Sequence, residues 1–210
     1  MSRITAESKC RLCRAEGMKL FLKGTRCNSS KCPIERKGAV PPGMHGIKRT
    51  KKPTDYGLQL RAKQKAKRIY GLNEAQFSNL FRQAKKLKGL VGLNFLSLLE
   101  RRLDSLVYSS GLSSSRSSAK QLIGHGNIFI NGKPLNTPSY LAKAGDVISV
   151  NPKILDNVKD IFRINDKDLS TPAWLDVDRS HYSAKVTSAP RLTEASNDID
   201  INLIVEYYSR

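Results

Sequence analysis

Apolar residues recur at helical spacing through the middle of the chain, and four segments there are expected to form helices: 56–69, 73–88, 93–109 and 116–123. The apolar stripes are clearest in the second and third segments, where they consist of Phe77, Leu80, Phe81, Ala84 and Leu87, and of Leu96, Leu99, Leu103, Leu106 and Val107. Residues suited to cap a helix stand before three of the segments: Thr54 with Asp55, Asn73, and Ser114 or Ser115. These stripes predict a helical core.

A different pattern follows residue 124. The segment 126–132 alternates apolar and polar residues around Ile128 and Ile130 and ends in the turn-forming pair Asn131-Gly132. The segment 144–151 predicts a further strand, so we expect a small antiparallel sheet. Residues 201–208 are ambiguous, because their β-branched and aromatic content suggests a strand while Asp200 can begin a short helix. The fold class expected from these patterns is α+β.

Positive charge is concentrated in the first part of the chain. Residues 1–89 contain 23 Lys and Arg against 5 Asp and Glu, a net charge of +18, whereas the rest of the chain has a net charge of +1. Binding to phosphates would neutralise this charge and release condensed counterions. Solubility alone does not require such a concentration of charge, so we expect the partner to be a nucleic acid.

The candidate RNA-binding residues fall into four groups along the sequence. Three arginines flank cysteines, a linker rich in Pro and Gly contains a cationic run, two predicted helices carry basic faces, and the region 116–133 adds a further group. The candidates are Arg11, Arg14, Arg26, His45, Lys48, Arg49, Lys51, Lys52, Arg61, Lys63, Lys65, Lys67, Arg68, Arg82, Lys85, Arg116, Lys120, His125 and Lys133. Arg116 and Lys120 lie one helical turn apart, so we expect both to face one RNA backbone.

Four cysteines fall within 23 residues of the basic region, namely Cys10, Cys13, Cys27 and Cys32. Two close pairs separated by a loop can place four thiolates around one tetrahedral Zn²⁺. The neighbouring arginines would favour the thiolates and offset the charge of the site. We therefore expect one structural zinc per chain, in a segment too small to build its own core. Four independent buried thiols are the alternative.

The composition excludes several classes of protein. No apolar run approaches the roughly 20 residues that a membrane span needs. The first residues lack the apolar core of a secretory signal, and we expect the protein to act in the reducing cytoplasm. No nucleophile with its base, carboxylate pair or phosphate-binding glycine loop is recognisable, so we expect neither an enzyme nor a site for a small-molecule substrate.

Residues 98–150 resemble the RNA-binding module of the ribosomal S4 family. The matching elements are Leu103-Asp104-x-x-Val107, Arg116-x-x-Ala119-x-Gln121-Leu122-Ile123, Gly126-x-Ile128, Ile130-Asn131-Gly132, Ser139-Tyr140 and Gly145-Asp146-x-Ile148. The likeness extends over most of the chain, through CRLCRxEGxKLxLKGxRC at 10–27, PPGxHG at 41–46, DYGLQLRAKQKAKRIYG at 55–71, Trp174-Leu175 and IVEYYSR at the end. The module alone also occurs in some RNA-modifying enzymes, whereas this coverage resembles the bacterial-type ribosomal family in its zinc-binding form.

The resemblance implies a primary rRNA-binding protein of the small ribosomal subunit. Members dock on a multi-helix junction in the 5′ domain of the rRNA and nucleate assembly of the subunit body. The linker around Lys48 and Lys52 is implied to approach the path by which mRNA enters, beside proteins S3 and S5, and to affect translational accuracy. Contact of these linker cations with rRNA instead is an equally weighted alternative.

Three domains are expected from the motifs and the resemblance. They are a zinc-binding extension at 1–45, a helical rRNA-binding domain at 46–97 to which residues from about 175 to 210 return, and an inserted module at 98–165 with helices packed on a small antiparallel sheet. A different class of function, a zinc-dependent regulator of mRNA or DNA, would favour one recognition helix and a symmetric dimer. Autogenous repression of translation is compatible with either class.

Overall fold

Local sequence signals place most of the helices in the structure, a computed structural model that describes residues 8–46, 52–165, 171–190 and 199–210. The chain divides into two units, one of residues Met1–Lys86 with Ser196–Arg210 and one of residues Leu87–Ala195. The α-helices of the first unit are α1 (Lys9–Glu16), α2 (Pro33–Lys37), α3 (Asp55–Tyr70), α4 (Glu74–Lys86) and α9 (Ile201–Ser209), and a 3₁₀ helix spans Gly24–Asn28.

The predicted caps of α3 and α4 are confirmed. Thr54 Oγ1 accepts a hydrogen bond from the Gly57 N–H at 3.2 Å, and Asn73 Oδ1 accepts one from the Gln76 N–H at 2.8 Å. Each bond satisfies a donor that a helix leaves unpaired at its first turn. The predicted apolar stripe of α4 is buried, except for Leu87, which lies beyond the helix and is 47% exposed.

The segment 201–208, which was ambiguous in sequence, is helical. Asp200 caps α9 by accepting a hydrogen bond from the Leu203 N–H at 3.3 Å. The helix packs on α3, and its Tyr208 ring stacks on Phe81 of α4 with ring centroids 4.4 Å apart. Tertiary packing therefore decides in favour of a helix over the strand propensity of Ile201 to Tyr208.

The second unit contains helices and one antiparallel sheet. Its helices are α5 (Val91–Glu100), α6 (Leu103–Ser109), α7 (Arg116–Gly124) and α8 (Leu155–Asn165), with a 3₁₀ turn at Pro152–Ile154. Its strands are β1 (Ile128–Ile130), β2 (Lys133–Pro134), β3 (Val147–Val150), β4 (Leu175–Asp178) and β5 (Ser183–Val186), in the spatial order β2-β1-β3-β5-β4. The expected α+β class is confirmed.

The core of the second unit lies between the helices and this sheet. Fully buried residues of α6 and α7, among them Leu106 and Ile123, pack with Ile128 of β1, Ile148 of β3 and Trp174. Strand β3 shows the alternation expected of a sheet with one buried face, since Ile148 and Val150 are buried and Val147 is exposed. Ser115 caps α7 as predicted, by accepting a hydrogen bond from the Ser118 N–H at 3.2 Å.

The predicted helix at 93–109 is wrong in one respect, because α5 and α6 are separate helices. Arg102 has an extended backbone, with φ −64° and ψ 139°, and forms an isolated bridge with Leu141. The Leu103 N–H donates to the Tyr140 carbonyl at 2.9 Å, and the Ala142 N–H donates to the Arg101 carbonyl at 2.9 Å. These long-range backbone bonds break a periodicity that continues in sequence.

The expected domain boundaries also differ from the structure. The expectation assigned residues from about 175 onward to the helical domain. Strand β5 instead pairs with β3, at Ile148 opposite Ala184, and β4 pairs with β5, so residues 175–186 extend the sheet of the second unit. Helix α5, which was expected in the helical domain, likewise lies in the second unit.

Asp146 connects three parts of the second unit. Its carboxylate accepts hydrogen bonds from the Asn131 side chain at 2.9 Å, the Lys143 N–H at 2.8 Å and the Tyr140 hydroxyl at 3.3 Å. Asn131 has φ 50° and Gly132 φ 78°, which is the conformation of the predicted two-residue hairpin turn. Burial would raise the pKa of Asp146, but these hydrogen bonds outweigh it and hold the pKa below its usual value.

We predict that Asp146 makes the stability of the second unit sensitive to acid. Because the folded pKa lies below that of the unfolded chain, its contribution is complete above about pH 4 and is lost as the pH falls through the folded pKa. Asp146→Asn should lower the free energy of unfolding at pH 7 by roughly 1–3 kcal/mol and flatten its decline in acid. Urea titrations at pH 3 to 7 measure both effects. The exposed Asp176→Asn is the control, and an identical acid profile in the two variants would contradict the assignment.

Candidate RNA-binding surface and cysteine cluster

The four cysteines lie on three different local structures that meet at one cavity. Cys10 and Cys13 are on α1, Cys27 is in the 3₁₀ helix, and Cys32 directly precedes α2. All four line a cavity of about 20 Å³, together with Leu22 and the residues Lys9, Lys23, Pro33 and Ile34. The sequence prediction that the four thiols lie together is consistent with this arrangement.

Backbone N–H groups contact two of the sulfur atoms. The Leu20 N–H donates to the Cys13 sulfur, and the Lys23 N–H donates to Cys27 Sγ at 3.3 Å. Burial raises the pKa of the Cys13 thiol, the Leu20 N–H opposes this, and the three other cysteines raise it further. The loop at residues 20–23 is therefore tied to the cysteine cluster by its backbone.

The zinc knuckle is not observed as such. Within the ranges that the structure describes, no group of three or more His, Cys, Asp or Glu side chains is arranged to hold a metal ion. The first pair lies on a regular helical turn instead of a knuckle, because Lys9–Glu16 continues as a helix through both residues. The cavity nevertheless collects four donors of the type that Zn²⁺ prefers.

Several of the basic residues predicted to bind RNA are occupied within the protein. The Arg14 guanidinium donates to the Val40 carbonyl at 2.8 Å and to the Pro41 carbonyl at 3.1 Å, and so holds the loop that follows α2. Glu16, whose side chain is only 3% exposed, forms ion pairs with Arg61 at 3.5 Å and with Arg68. These contacts join α1 to α3 and limit what Arg14 and Arg68 can offer to RNA.

Lys63 is the clearest departure from the expected basic face of α3, because it is buried. Its ammonium donates to Glu74 at 2.8 Å and to the Tyr207 hydroxyl at 3.3 Å, and it lies 4.4 Å from the Tyr207 ring centroid. Burial would lower the pKa of Lys63, but the bonds to Glu74 and Tyr207 outweigh it and raise the pKa. Lys67 also pairs with Glu74, at 3.0 Å. Lys63 is therefore a packing residue and not an exposed ligand for phosphate.

Arg116 and Lys120 were expected to face an RNA backbone, but their side chains are largely covered by the protein. Their side chains are 17% and 21% exposed, and they point to acidic groups that are buried: Arg116 pairs with Glu100 at 3.7 Å and Lys120 with Asp104 at 3.4 Å. The Arg116 guanidinium also lies 4.6 Å from the Tyr108 ring centroid. Burial is the main reason that the pKa of Lys120 is lowered.

Asp104 is the centre of this buried network. Its carboxylate, 1% exposed, accepts two hydrogen bonds from Arg102 at 3.1 and 2.9 Å and one from the Ser105 N–H at 2.9 Å. A buried carboxylate needs such partners, because its desolvation is costly. Lys120 thus supplies a second cation to Asp104, and the predicted role of this pair as simple surface ligands does not fit their placement.

Other predicted residues are exposed or partly exposed, and they occur in both units. Exposed in the first unit are Arg11, Arg26, His45, Lys52, Arg61, Arg82 and Lys85, with Lys65 partly exposed, and exposed in the second are His125 and Lys133. Arg82 contacts Asn79, and Lys85 donates to the Tyr208 carbonyl at 3.2 Å. Lys48, Arg49 and Lys51 lie outside the described residues.

The first unit has further exposed cations that were not among the residues predicted to bind RNA. Lys23, Arg36 and Lys37 are exposed, and all belong to the basic stretch 1–89. Their position in that stretch could have identified them as candidates for RNA binding. Their exposure was not readable from sequence, since Lys63 in the same stretch is buried.

Comparison with known proteins assigns the family. The model of the ribosomal protein S4/S9 N-terminal domain matches residues 5–100, and the model of the S4 domain matches residues 101–148. The small ribosomal subunit protein uS4 of Halothermothrix orenii is 50% identical over 203 residues, which cover 96% of each chain. The protein of the same name from Dictyoglomus turgidum is 49% identical over 210 residues, which cover 100% of each chain. The chain belongs to the uS4 family.

Membership of the uS4 family confirms the resemblance of the sequence motifs to ribosomal S4 proteins. The family consists of ribosomal proteins and is not a family of enzymes. The S4-domain match begins at Arg101, where the structure separates α5 from α6, and ends at Ile148 within β3. None of the helices in the described parts of the chain is both long and apolar enough to cross a lipid bilayer.

We predict that replacing Arg116 and Lys120 together by Ala destabilises the second unit. Glu100 and Asp104 would stay buried with fewer cationic partners, which should cost roughly 1–3 kcal/mol of the free energy of unfolding. Thermal and urea unfolding of the full chain measure this. The exposed Lys133→Ala should leave both unchanged, and equal stability of the double variant and the wild type would contradict the buried network.

Proposed function

We propose that this protein is a structural component of the small ribosomal subunit that binds small-subunit rRNA directly. The observation that carries the proposal is identity of 50% and 49%, over nearly the whole of each chain, to proteins named small ribosomal subunit protein uS4. The net charge of +18 in residues 1–89 supports it, because rRNA is a polyanion. Its place of action is then the cytoplasm, within the small subunit.

The proposed mode of binding is recognition of RNA shape through phosphates. Exposed cations occur on both units of the chain, so several RNA helices can be contacted by one molecule. A multi-helix junction, as in the 5′ domain of the rRNA, is the target whose helices such contacts would hold at fixed angles. Holding them would nucleate assembly of the subunit body.

The internal ion pairs narrow the set of basic residues to which phosphate contacts can be assigned. Cations bound to Glu16, Glu74, Glu100 and Asp104 are partly neutralised by the protein itself. The phosphate contacts are therefore assigned to exposed residues such as Lys23, Arg26 and Lys52. Arg116 and Lys120 would act mainly by holding α7 in place.

We predict that affinity for a 5′-domain rRNA fragment falls steeply with salt. With 6–10 phosphate contacts, the affinity should fall roughly 10³- to 10⁵-fold between 50 and 200 mM salt. Filter binding or fluorescence anisotropy across this range measures the slope of log K against log[salt].

Matched variants test which cations contribute. Lys23→Gln with Arg26→Gln should reduce the slope by roughly 0.7–0.9 for each phosphate that is no longer neutralised. Lys63→Gln removes a positive charge from a buried position and should lower stability without changing the slope of the folded protein. A flat salt dependence of the wild type would refute binding through phosphates.

The linker suggests a second interaction within the same assembly. We propose that Lys48, Arg49, Lys51 and Lys52 lie near the path of incoming mRNA, beside proteins S3 and S5, and influence accuracy there. Four cations in five residues support this, since point charges hold a moving strand without fixing its register. Contact with rRNA would use the same chemistry, and Lys52 is exposed for either role.

Zinc binding is proposed for the cysteine cluster. The fit rests on two observations: all four thiols line one cavity, and backbone N–H groups already donate to Cys13 and Cys27 as they would to thiolate ligands. Cys10, Cys13, Cys27 and Cys32 would hold the ion. Its role would be structural, linking α1, the 3₁₀ helix and α2.

We predict about one Zn²⁺ per chain in purified protein, as a four-thiolate structural site requires. Metal analysis by mass spectrometry gives the stoichiometry, and Cys27→Ser should lower it. Chelation should also make the region 8–46 more sensitive to protease, whereas the region 87–165 should keep its resistance. Metal-free protein with unchanged resistance would show that the thiols are independent.

A further inference from the structure

Phe21 is an exposed aromatic residue with an unfavourable backbone conformation. Its side chain lies in the loop between α1 and the 3₁₀ helix, the residue is 43% exposed, and its φ is 49°. Residues with a Cβ rarely occupy this left-handed region, because the Cβ approaches the backbone carbonyl. A loop that keeps Phe there, where Gly or Asn would fit without strain, indicates a role for the ring itself.

The cysteine cluster fixes this conformation from both sides. The Leu20 N–H donates to the Cys13 sulfur, and the Lys23 N–H donates to Cys27 Sγ at 3.3 Å. Leu20 is buried, at 5% exposure, and Leu22 lines the cysteine cavity. With both neighbours held inward, Phe21 is left at the surface in one backbone conformation.

The surroundings of Phe21 are cationic. Lys23 and Arg26 are exposed and follow it closely in sequence, while Lys19 before it pairs with Glu35. A partner that meets this surface must therefore combine an apolar flat group with negative charge. An unpaired nucleotide has both, since its base stacks on aromatic rings and its phosphates attract cations.

Tyr56 shows how an aromatic residue differs when the protein uses it internally. It is 49% exposed, yet its ring lies 6.0 Å from that of Tyr207 and 5.7 Å from the Arg210 guanidinium. Tyr56 has a backbone within a regular helix and needs no special conformation. Phe21 and Tyr56 have similar exposure, so exposure does not distinguish them. The positive φ of Phe21 does.

We infer that Phe21 stacks on an unpaired base of small-subunit rRNA while Lys23 and Arg26 bind the adjoining phosphates. The inference rests on the proposed function and adds a base-contacting residue to it. The cysteine cluster then acts as the element that positions the ring. Stacking is tolerant of sequence, so Phe21 would favour an unstacked nucleotide of any base type.

The test uses the full chain and a 5′-domain rRNA fragment that contains the junction. Phe21→Leu should weaken binding roughly 5- to 150-fold, the change expected when one base is no longer stacked. Its salt slope should equal that of the wild type, because the ring releases no counterions. Phe21→Tyr should bind as the wild type does, and the exposed Leu58→Ala is a control for a general decrease of apolar surface.

A second variant separates stacking from folding. Asn accepts the left-handed region, so Phe21→Asn should keep or raise the melting temperature while its affinity falls as that of Phe21→Leu does. Chemical probing of the bound RNA should show a single-stranded nucleotide that becomes reactive only in the Leu and Asn complexes.

The outcomes are distinguishable. Absence of binding by the wild type refutes the proposed function itself. Binding by the wild type with unchanged affinity of Phe21→Leu or Phe21→Asn overturns the stacking inference alone. If these variants bind RNA normally but assemble poorly into reconstituted subunits, the ring contacts a protein, and the inference is also overturned.

Discussion

Three buried carboxylates, those of Glu16, Glu100 and Asp104, bind basic side chains that would otherwise be available to RNA. Each is under a tenth exposed in its side chain and binds one or more basic side chains. A carboxylate in such a place would destabilise the fold by several kcal/mol without a cationic partner. The arginines and lysines around it are therefore needed to stabilise the fold, and any contact that they make with RNA is secondary to this role.

The basic stretch has two populations of cations, because Glu16, Glu74 and backbone carbonyls bind some of its basic side chains. Lys63 is buried in the protein, and Arg14 holds a loop through its bond to the Val40 carbonyl. Lys23, Arg26 and Lys52, in contrast, are exposed. A net charge measured from composition counts both equally. Long-range attraction depends on the whole sum, but contacts with individual phosphates depend on the exposed population alone.

Local signals predicted what depends on neighbouring residues. The caps at Thr54, Asn73 and Ser115 and the hairpin turn at Asn131 were readable because side chain and backbone interact within three residues. The break after α5 was not, since it depends on backbone bonds from Arg101 and Leu103 to residues near 140. Burial of Lys63 depends on Tyr207, 144 residues away, which no local signal can indicate.

The packing of α9 on α3 has a consequence for synthesis of the chain. Lys63 and its partner Tyr207 are separated by 144 residues, and the whole second unit lies between them. At 5–20 residues per second, the ribosome needs roughly 7–30 s to make that interval. Throughout it, α3 and α4 lack the aromatic side chains that cover Lys63 and Phe81. The first unit can therefore complete its core only after α9 has been made, although most of its residues are synthesised before the second unit.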